Sequence, residues 1–122
     1  MGNPIDAWAW NYRPLIVIAP AEEDALMAAQ RKTLSAQQEA LRERDVVIVE
    51  LVGGRVRIVS GPDVEIDARQ LKNRLGTVGD KFEVVLVGKD TGIKLRSDEP
   101  VAAADLFGLI DSMPMRRQEM KQ

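Results

Sequence analysis

Two groups of charged side chains are the strongest candidates for chemistry in this sequence of 122 residues. The first is an acidic run at residues 22–24, and the second is a set of four cations near the C-terminus: Lys94, Arg96, Arg116 and Arg117. Other kinds of chemistry are excluded because the sequence contains no cysteine and no histidine. Thiol nucleophiles, disulfides, serine–histidine triads and metal sites built from sulfur or imidazole all need one of these residues.

The acidic run, Glu22-Glu23-Asp24, is typical of the first turn of a helix, where acidic side chains are stabilised by the positive end of the helix. Adjacent carboxylates on a helix point in different directions, so they converge poorly on one metal ion or one substrate. The turn at residues 88–92 lacks the alternating oxygen ligands of a calcium loop, and it joins two strands, whereas a phosphate-binding loop opens a helix. We therefore predict no metal, no cofactor and no catalytic residue.

An enzyme that uses carboxylates stays open as an alternative. Its candidates for general acid or base are Asp24, Asp90 and Asp98. Such a mechanism needs two carboxylates that face one pocket, one of them with a raised pKa.

The four cations predict a binding site for an anionic polymer or an acidic protein surface. Lys94 and Arg96 are two residues apart on a predicted edge strand and therefore share a face. Arg116 and Arg117 follow the last predicted helix, and a tail that folds toward the strand would complete one basic patch. Binding through such exposed charges would weaken in salt. The competing interpretations are edge protection of the strand, compensation of the helix dipole, and ion pairs with the segment Ser97-Asp98-Glu99.

Composition limits the remaining function classes. Lysine and arginine total 17, aspartate and glutamate total 19, and the net charge is -2. That balance argues against a nucleic-acid binder or a polybasic membrane module, which need a basic excess. No stretch reaches the roughly 20 apolar residues that span a bilayer, so we predict no membrane insertion. The first residues lack the basic and apolar regions of a signal peptide, so an exported form would have lost its leader.

Apolar runs predict the core strands at residues 15–19, Val46–Val52 and 82–87. Gly53-Gly54 predicts a hairpin into Arg55–Ser60, and a turn at residues 89–92 returns the third core strand antiparallel through residues 93–96. Four helical segments are expected: a short one capped by Asn3, a long one over residues 22–44, one that follows a capping box at Asp67, and one over residues 106–113. Pro114 is expected to end the last helix and leave residues 114–122 as a polar tail.

This order of elements predicts one α/β domain over residues 1–122. Strands that are joined through a helix pair in parallel, which makes the first two core strands parallel neighbours. A β-α-β unit followed by a β-β-α unit gives a three-layer α/β/α sandwich with a mixed sheet, which is the thioredoxin-like arrangement.

Several stretches of the sequence resemble a known family. They are GKDTGIKLRSDEP (residues 88–100), LFGLIDSMPMRRQEM (residues 106–120), NPIDA (residues 3–7) with Trp10, and RPLIVIAP (residues 13–20). The sequence resembles the P-DUDES family, uncharacterised bacterial proteins related to modules of equarin and of vertebrate sushi-repeat proteins. The resemblance covers nearly the whole chain and is weakest over residues 53–66.

The resemblance implies a thioredoxin-like fold, export from the cytoplasm in many members, no established enzymatic activity, and a matrix or adhesion setting for the vertebrate relatives. In thioredoxins the redox site lies where the first core strand turns into the long helix, and a proline precedes the third strand. Neither the thiols at residues 19–24 nor that proline at residues 79–82 is present, so disulfide exchange is excluded. Our leading hypothesis is a non-catalytic binding or scaffold domain that is periplasmic or secreted. A cytoplasmic module that binds a partner through its edge strand is the other alternative.

Overall fold

The computed structural model of the protein describes residues 4–121 and contains one five-stranded mixed sheet. Its strands are β1 (Arg13–Ala19), β2 (Val46–Val52), β3 (Arg55–Ser60), β4 (Glu83–Val87) and β5 (Ile93–Ser97), and their order across the sheet is β3-β2-β1-β4-β5. Strand β1 pairs in parallel with β2 and antiparallel with β4. The outer strands β3 and β5 pair antiparallel with their neighbours. The parallel pairing predicted for the first two core strands is confirmed.

Within residues 4–121, six helical segments surround the sheet. They are a 3-10 helix at Asp6–Trp8, α1 (Ala25–Ser35), α2 (Gln38–Glu43), α3 (Ala68–Leu75), α4 (Ala103–Asp111) and α5 (Pro114–Met120). The cap predicted at Asn3 lies outside the described residues.

The core is divided between the two faces of the sheet. Side chains alternate along β1, so Leu15 and Val17 pack on one face while Ile16 and Ile18 pack on the other. Helices α1, α2 and α4 cover the first face, and α3 with the 3-10 helix covers the second. Every residue of β1 and β2 is buried because both faces are covered. The predicted three-layer α/β/α sandwich is confirmed.

The long helix predicted over residues 22–44 is two helices in the structure. Helix α1 begins at Ala25, because the carboxylate of Asp24 accepts hydrogen bonds from the backbone N–H groups of Leu26 and Met27 and so caps the helix. The chain leaves the helical path at residues 36–37 before α2 begins. The two helices share one apolar stripe, since Met27, Leu34 and Leu41 are all buried.

The segment predicted as a polar tail forms helix α5 instead. Pro114 occupies its first turn, where the missing N–H of proline costs nothing, so this residue ends one helix and starts the next. The side chain of Arg116 in α5 is buried.

The helix cap predicted at Asp67 is confirmed. Asp67 accepts a hydrogen bond from the backbone N–H of Gln70 and caps α3, and Gly76 ends α3 in the left-handed conformation. Of the two tryptophans in the first segment, Trp8 is buried and Trp10 is 64% exposed.

Candidate functional site: a cleft beside the β2–β3 hairpin

The predicted cations Lys94 and Arg96 are paired with carboxylates on the β4–β5 hairpin. Lys94 Nζ lies 2.9 Å from a carboxylate oxygen of Asp90. Arg96 lies 3.0 Å from Glu83, and it also donates a hydrogen bond to the backbone carbonyl of Leu75 at the end of α3. Arg96 therefore lies on the face of the sheet that α3 covers.

The other two predicted cations differ sharply in exposure. Arg116 is 4% exposed and forms ion pairs with Asp111, Glu43 and Glu119. These partners belong to α4, α2 and α5, on the face opposite α3. Arg117 is exposed, and its side chain forms no ion pair with any residue between 4 and 121. The structure thus separates Arg116 from Arg96, and anion binding stays a prediction for the three exposed cations.

The acidic run at residues 22–24 has structural partners. Asp24 caps α1, and a carboxylate oxygen of Glu22 lies 2.6 Å from the guanidinium of Arg31. Within residues 4–121 no three acidic side chains lie close enough together to hold a metal ion.

A cleft of about 240 Å³ opens between helices α1 and α2 and the β2–β3 hairpin. It forms because β3 is the outer strand on this side of the sheet and the helices pack mainly over β1 and β2. Its apolar walls come from Val17, Leu34, Ile48 and Val59, and its charged side chains are Arg31, Arg42, Glu50 and Arg57. We take this cleft as the candidate functional site because it combines apolar walls with convergent charges.

Glu50 is a buried carboxylate in the middle of the otherwise apolar strand β2 and is 4% exposed. It accepts hydrogen bonds from Arg31 Nε at 2.9 Å, from Arg31 Nη2 at 2.8 Å and from Arg57 Nη2 at 2.7 Å. Burial alone would raise the pKa of Glu50, but these hydrogen bonds outweigh burial and lower the pKa. The hydrogen bond with Glu50, and to a smaller extent the one with Glu22, raises the pKa of Arg31. Glu50 therefore stays ionised and fixes two guanidinium groups at the cleft.

Our sequence interpretation did not identify this group. Its only clear signal is the acidic residue inside the apolar run at Val46–Val52, since a charge in a buried strand needs a partner. The partners could not be read from spacing alone. Arg57 faces Glu50 through the antiparallel register of β2 and β3, and Arg31 reaches it from α1.

A second charge cluster holds α5 against the sheet. Arg13 is fully buried on β1, and its guanidinium donates hydrogen bonds to Glu119 at 3.1 and 3.3 Å. Lys89 is also buried, and its Nζ lies 2.7 Å from Glu119 and 2.8 Å from Asp45. Burial would raise the pKa of Glu119, but the hydrogen bonds from Lys89 and Arg13 lower it. The carboxylate is thereby kept ionised as the link between α5 and the sheet.

Arg44 connects α2 to α4 within the same region. Its guanidinium donates to Asp111 at 2.9 and 3.0 Å and lies 4.3 Å from the ring centroid of Phe107. The hydrogen bond from Arg44 lowers the pKa of Asp111, burial opposes the shift, and the hydrogen bond from Arg116 adds to it.

Residues 4–119 match the family described as "Domain of unknown function (DUF4174)". The chain belongs to this family. Its similar proteins include a sushi repeat-containing protein of Rattus norvegicus, which is 34% identical over 122 residues that cover 95% of this chain. A coiled-coil domain-containing protein 80 of Danio rerio is 29% identical over an aligned length of 135, which covers 97% of this chain. A second sushi repeat-containing protein, from Xenopus laevis, is 29% identical over an aligned length of 127, which covers 99% of this chain.

This DUF4174 chain spans only a part of those relatives. The matched region covers 26% of the rat protein, 16% of the zebrafish protein and 27% of the Xenopus protein. Separately, no helix within the described range 4–121 is long and apolar enough to cross a bilayer.

Proposed function

We propose that this DUF4174 domain is a non-catalytic binding or scaffold module with a thioredoxin-like fold. The observation that carries the proposal is that four of its carboxylates are hydrogen-bonded to basic side chains. The pKa values of Glu50, Asp90, Asp111 and Glu119 are all lowered, and each carboxylate is hydrogen-bonded to a lysine or an arginine. A general acid at neutral pH needs the opposite shift. These carboxylates are suited to holding cations in place.

The proposed fold type rests on connectivity. The β-α-β unit of β1, α1, α2 and β2 places two parallel strands side by side, and β4, β5 and α4 form the antiparallel unit next to β1. The loop between β1 and α1, where a thioredoxin redox site lies, contains no sulfur because the chain has no cysteine. The scaffold is thus suited to binding without thiol–disulfide exchange.

We place the domain outside the cytoplasm, in the periplasm or as a secreted protein, and within the P-DUDES group. The support is the resemblance given above and the similarity to sushi repeat-containing proteins, in which the matched region is a small part of a longer chain. A cytoplasmic module that pairs through an edge strand is the second candidate, and the exposed strands β3 and β5 favour it. Fractionating cells that produce the chain from its full natural gene separates these two candidates.

Exposed cations supply the proposed contact with an anionic polymer or an acidic protein. Titrating the isotope-labelled domain with a heparin-like polymer at low ionic strength is expected to shift the backbone amides of Lys94, Arg96 and Arg117. Added salt should reverse these shifts. No shift at these residues would leave the three charges as surface and edge protection.

The non-catalytic part is tested by assaying the purified domain for hydrolytic turnover. The expected result is no turnover above buffer. A turnover that disappears in the Asp24→Asn, Asp90→Asn or Asp98→Asn variant would overturn the proposal in favour of the carboxylate enzyme.

A further inference from the structure

We propose that the cleft between α1, α2 and the β2–β3 hairpin binds a small amphipathic carboxylate, an organic acid with one carboxylate and a compact apolar body. This inference rests on the proposed function as a binding module and names a ligand class for one of its surfaces. At about 240 Å³ the cleft is slightly smaller than the roughly 300–1,000 Å³ of pockets for drug-sized ligands. The ligand must therefore be small.

The apolar walls of the cleft select the body of the ligand. Val17, Leu34 and Ile48 line the cleft and are buried members of the core on this face of the sheet. Val59 on the edge strand β3 is 47% exposed and stands at the side. A ligand body in the cleft would cover Val59 and continue the core outward, which is favourable because it removes apolar surface from water.

The rim of the cleft offers donors that protein groups leave unused. Arg57 has a side chain that is 63% exposed and gives one Nη2 hydrogen bond to Glu50, while its Nε and Nη1 have no partner among residues 4–121. Arg42 also lines the cleft, and its side chain forms no hydrogen bond or ion pair with the part of the chain that the structure describes. Guanidinium groups bind carboxylates through two parallel hydrogen bonds, so this pair of arginines suits a carboxylate head.

Charge balance at the cleft favours an anion over a cation. Three arginines and one glutamate line the cleft, in a chain whose net charge is -2. The one acidic residue, Glu50, already accepts three hydrogen bonds from Arg31 and Arg57. Glu50 therefore acts as a positioning residue that holds Arg57 at the rim, and the ligand carboxylate would bind on the outer side of Arg57, toward Arg42.

Octanoate is a suitable probe, because it joins one carboxylate to a short apolar chain. Titrating the isotope-labelled domain with octanoate is expected to shift backbone amides of α2 and of Arg57, Val59 and Ser60 on β3. The Arg57→Gln variant should raise the Kd about tenfold, which corresponds to the loss of one charge-assisted hydrogen bond. Arg42→Gln should weaken binding in the same direction. Arg69→Gln removes an exposed arginine on α3, on the opposite face, and should leave the Kd unchanged.

Two further measurements separate the parts of the proposal. Octan-1-ol carries the same chain without the charge, so it should bind more weakly and show no response to Arg57→Gln. Val59→Thr keeps the shape of the side chain but replaces one methyl group with a hydroxyl, so it should weaken octanoate binding while the spectrum reports an intact fold. An equal Kd for octanoate in the wild type and in Arg57→Gln would overturn the proposal, as would shifts that avoid the cleft.

The outcomes also distinguish this inference from the function on which it rests. If octanoate causes no shift at the cleft while the polymer shifts residues 94–96, the ligand assignment is wrong and the binding module stands. If the domain hydrolyses an ester while octanoate still binds more weakly to Arg57→Gln, the non-catalytic function is wrong and the ligand assignment stands.

Discussion

Glu119 lies between two buried cations, Arg13 and Lys89, that come from different strands and turns of the sheet. A buried ion pair contributes little net stability compared with an apolar replacement, but removing one partner leaves the other charge uncompensated. The loss of folding stability on removing one partner is therefore much larger than the net stability that the ion pair contributes. The same reasoning applies to Glu50 between Arg31 and Arg57.

We expect the Glu119→Gln substitution to lower the free energy of unfolding by about 2–4 kcal/mol, because fully buried Arg13 loses its charged partner. Chemical denaturation measures this change. Glu39→Gln is the matched control, since Glu39 is exposed on α2 and its substitution should stay within about 0.5 kcal/mol of the wild type. Equal stabilities for the two variants would show that Arg13 finds another partner.

Single-residue predictions from the sequence worked where the signal is local. Asp67 caps α3 through a residue three positions away, so its role follows from spacing. Arg116 pairs with Glu43, which is 73 positions away in the sequence, and no spacing rule connects the two. The same holds for Arg31 and Glu50, which meet only after α1 has packed on the sheet.

The β2–β3 hairpin shows how glycines permit a tight connection between elements. Gly53 and Gly54 both have positive φ in the turn, with values of 56° and 80°. Gly61 follows β3 with φ 126°, and a Cβ atom there would lie 2.8 Å from the side chain of buried Val47. The chain after β3 can therefore pass close to β2 only because residue 61 lacks a side chain.

Alanine substitutions at Gly54 and Gly61 should separate the cost of a positive φ from the cost of steric overlap. Gly54→Ala has open space around its Cβ and should cost about 1 kcal/mol from positive φ alone. Gly61→Ala carries a conformational cost and also forces Val47 to move, so we expect a further loss of about 1–3 kcal/mol. Thermal or chemical denaturation of both variants measures the difference. A smaller loss for Gly61→Ala than for Gly54→Ala would contradict this account.

Strands were easier to predict than helix boundaries. The runs that became β1, β2 and β4 are short and mostly apolar, which is typical of strands that are covered on both faces. The break between α1 and α2 has no glycine or proline to mark it, so the sequence favoured one continuous helix. Pro114 can end one helix or start another, and α5 could be recognised only once Arg116 was seen to be buried and Glu119 was seen to have buried partners.

At the scale of the whole molecule, its ionisable groups limit where pH affects stability. The chain has no histidine, so no side chain of ordinary pKa titrates between about pH 5 and 8. Glu50 and Glu119 have folded-state pKa values below those of the unfolded chain. Their stabilisation is complete above the unfolded pKa of about 4.3 and is lost as the pH falls through the lower folded value.

The free energy of unfolding should therefore be nearly constant from about pH 8 to 5 and fall steeply below about pH 4. Denaturation curves at a series of pH values test this prediction. The Glu119→Gln variant should show a shallower decline, because one of the carboxylates that bind protons on unfolding is gone. A stability that rises as the solution becomes acidic would mean that the paired carboxylates have raised pKa values instead.

Helix α5 is attached to the rest of the molecule in an unusual way. Its buried side chain is Arg116, while Met115 and Met120 are 37% and 47% exposed. Because ion pairs supply most of its attachment, the helix is expected to detach and rebind as a separate cooperative unit while the sheet stays folded. Salt screens buried ion pairs much less than exposed ones, so acid that protonates Glu119 is expected to release α5 more effectively than added salt. As the pH falls, amide protons of α5 should lose their protection from exchange before those of β1, which should exchange only when the entire domain unfolds.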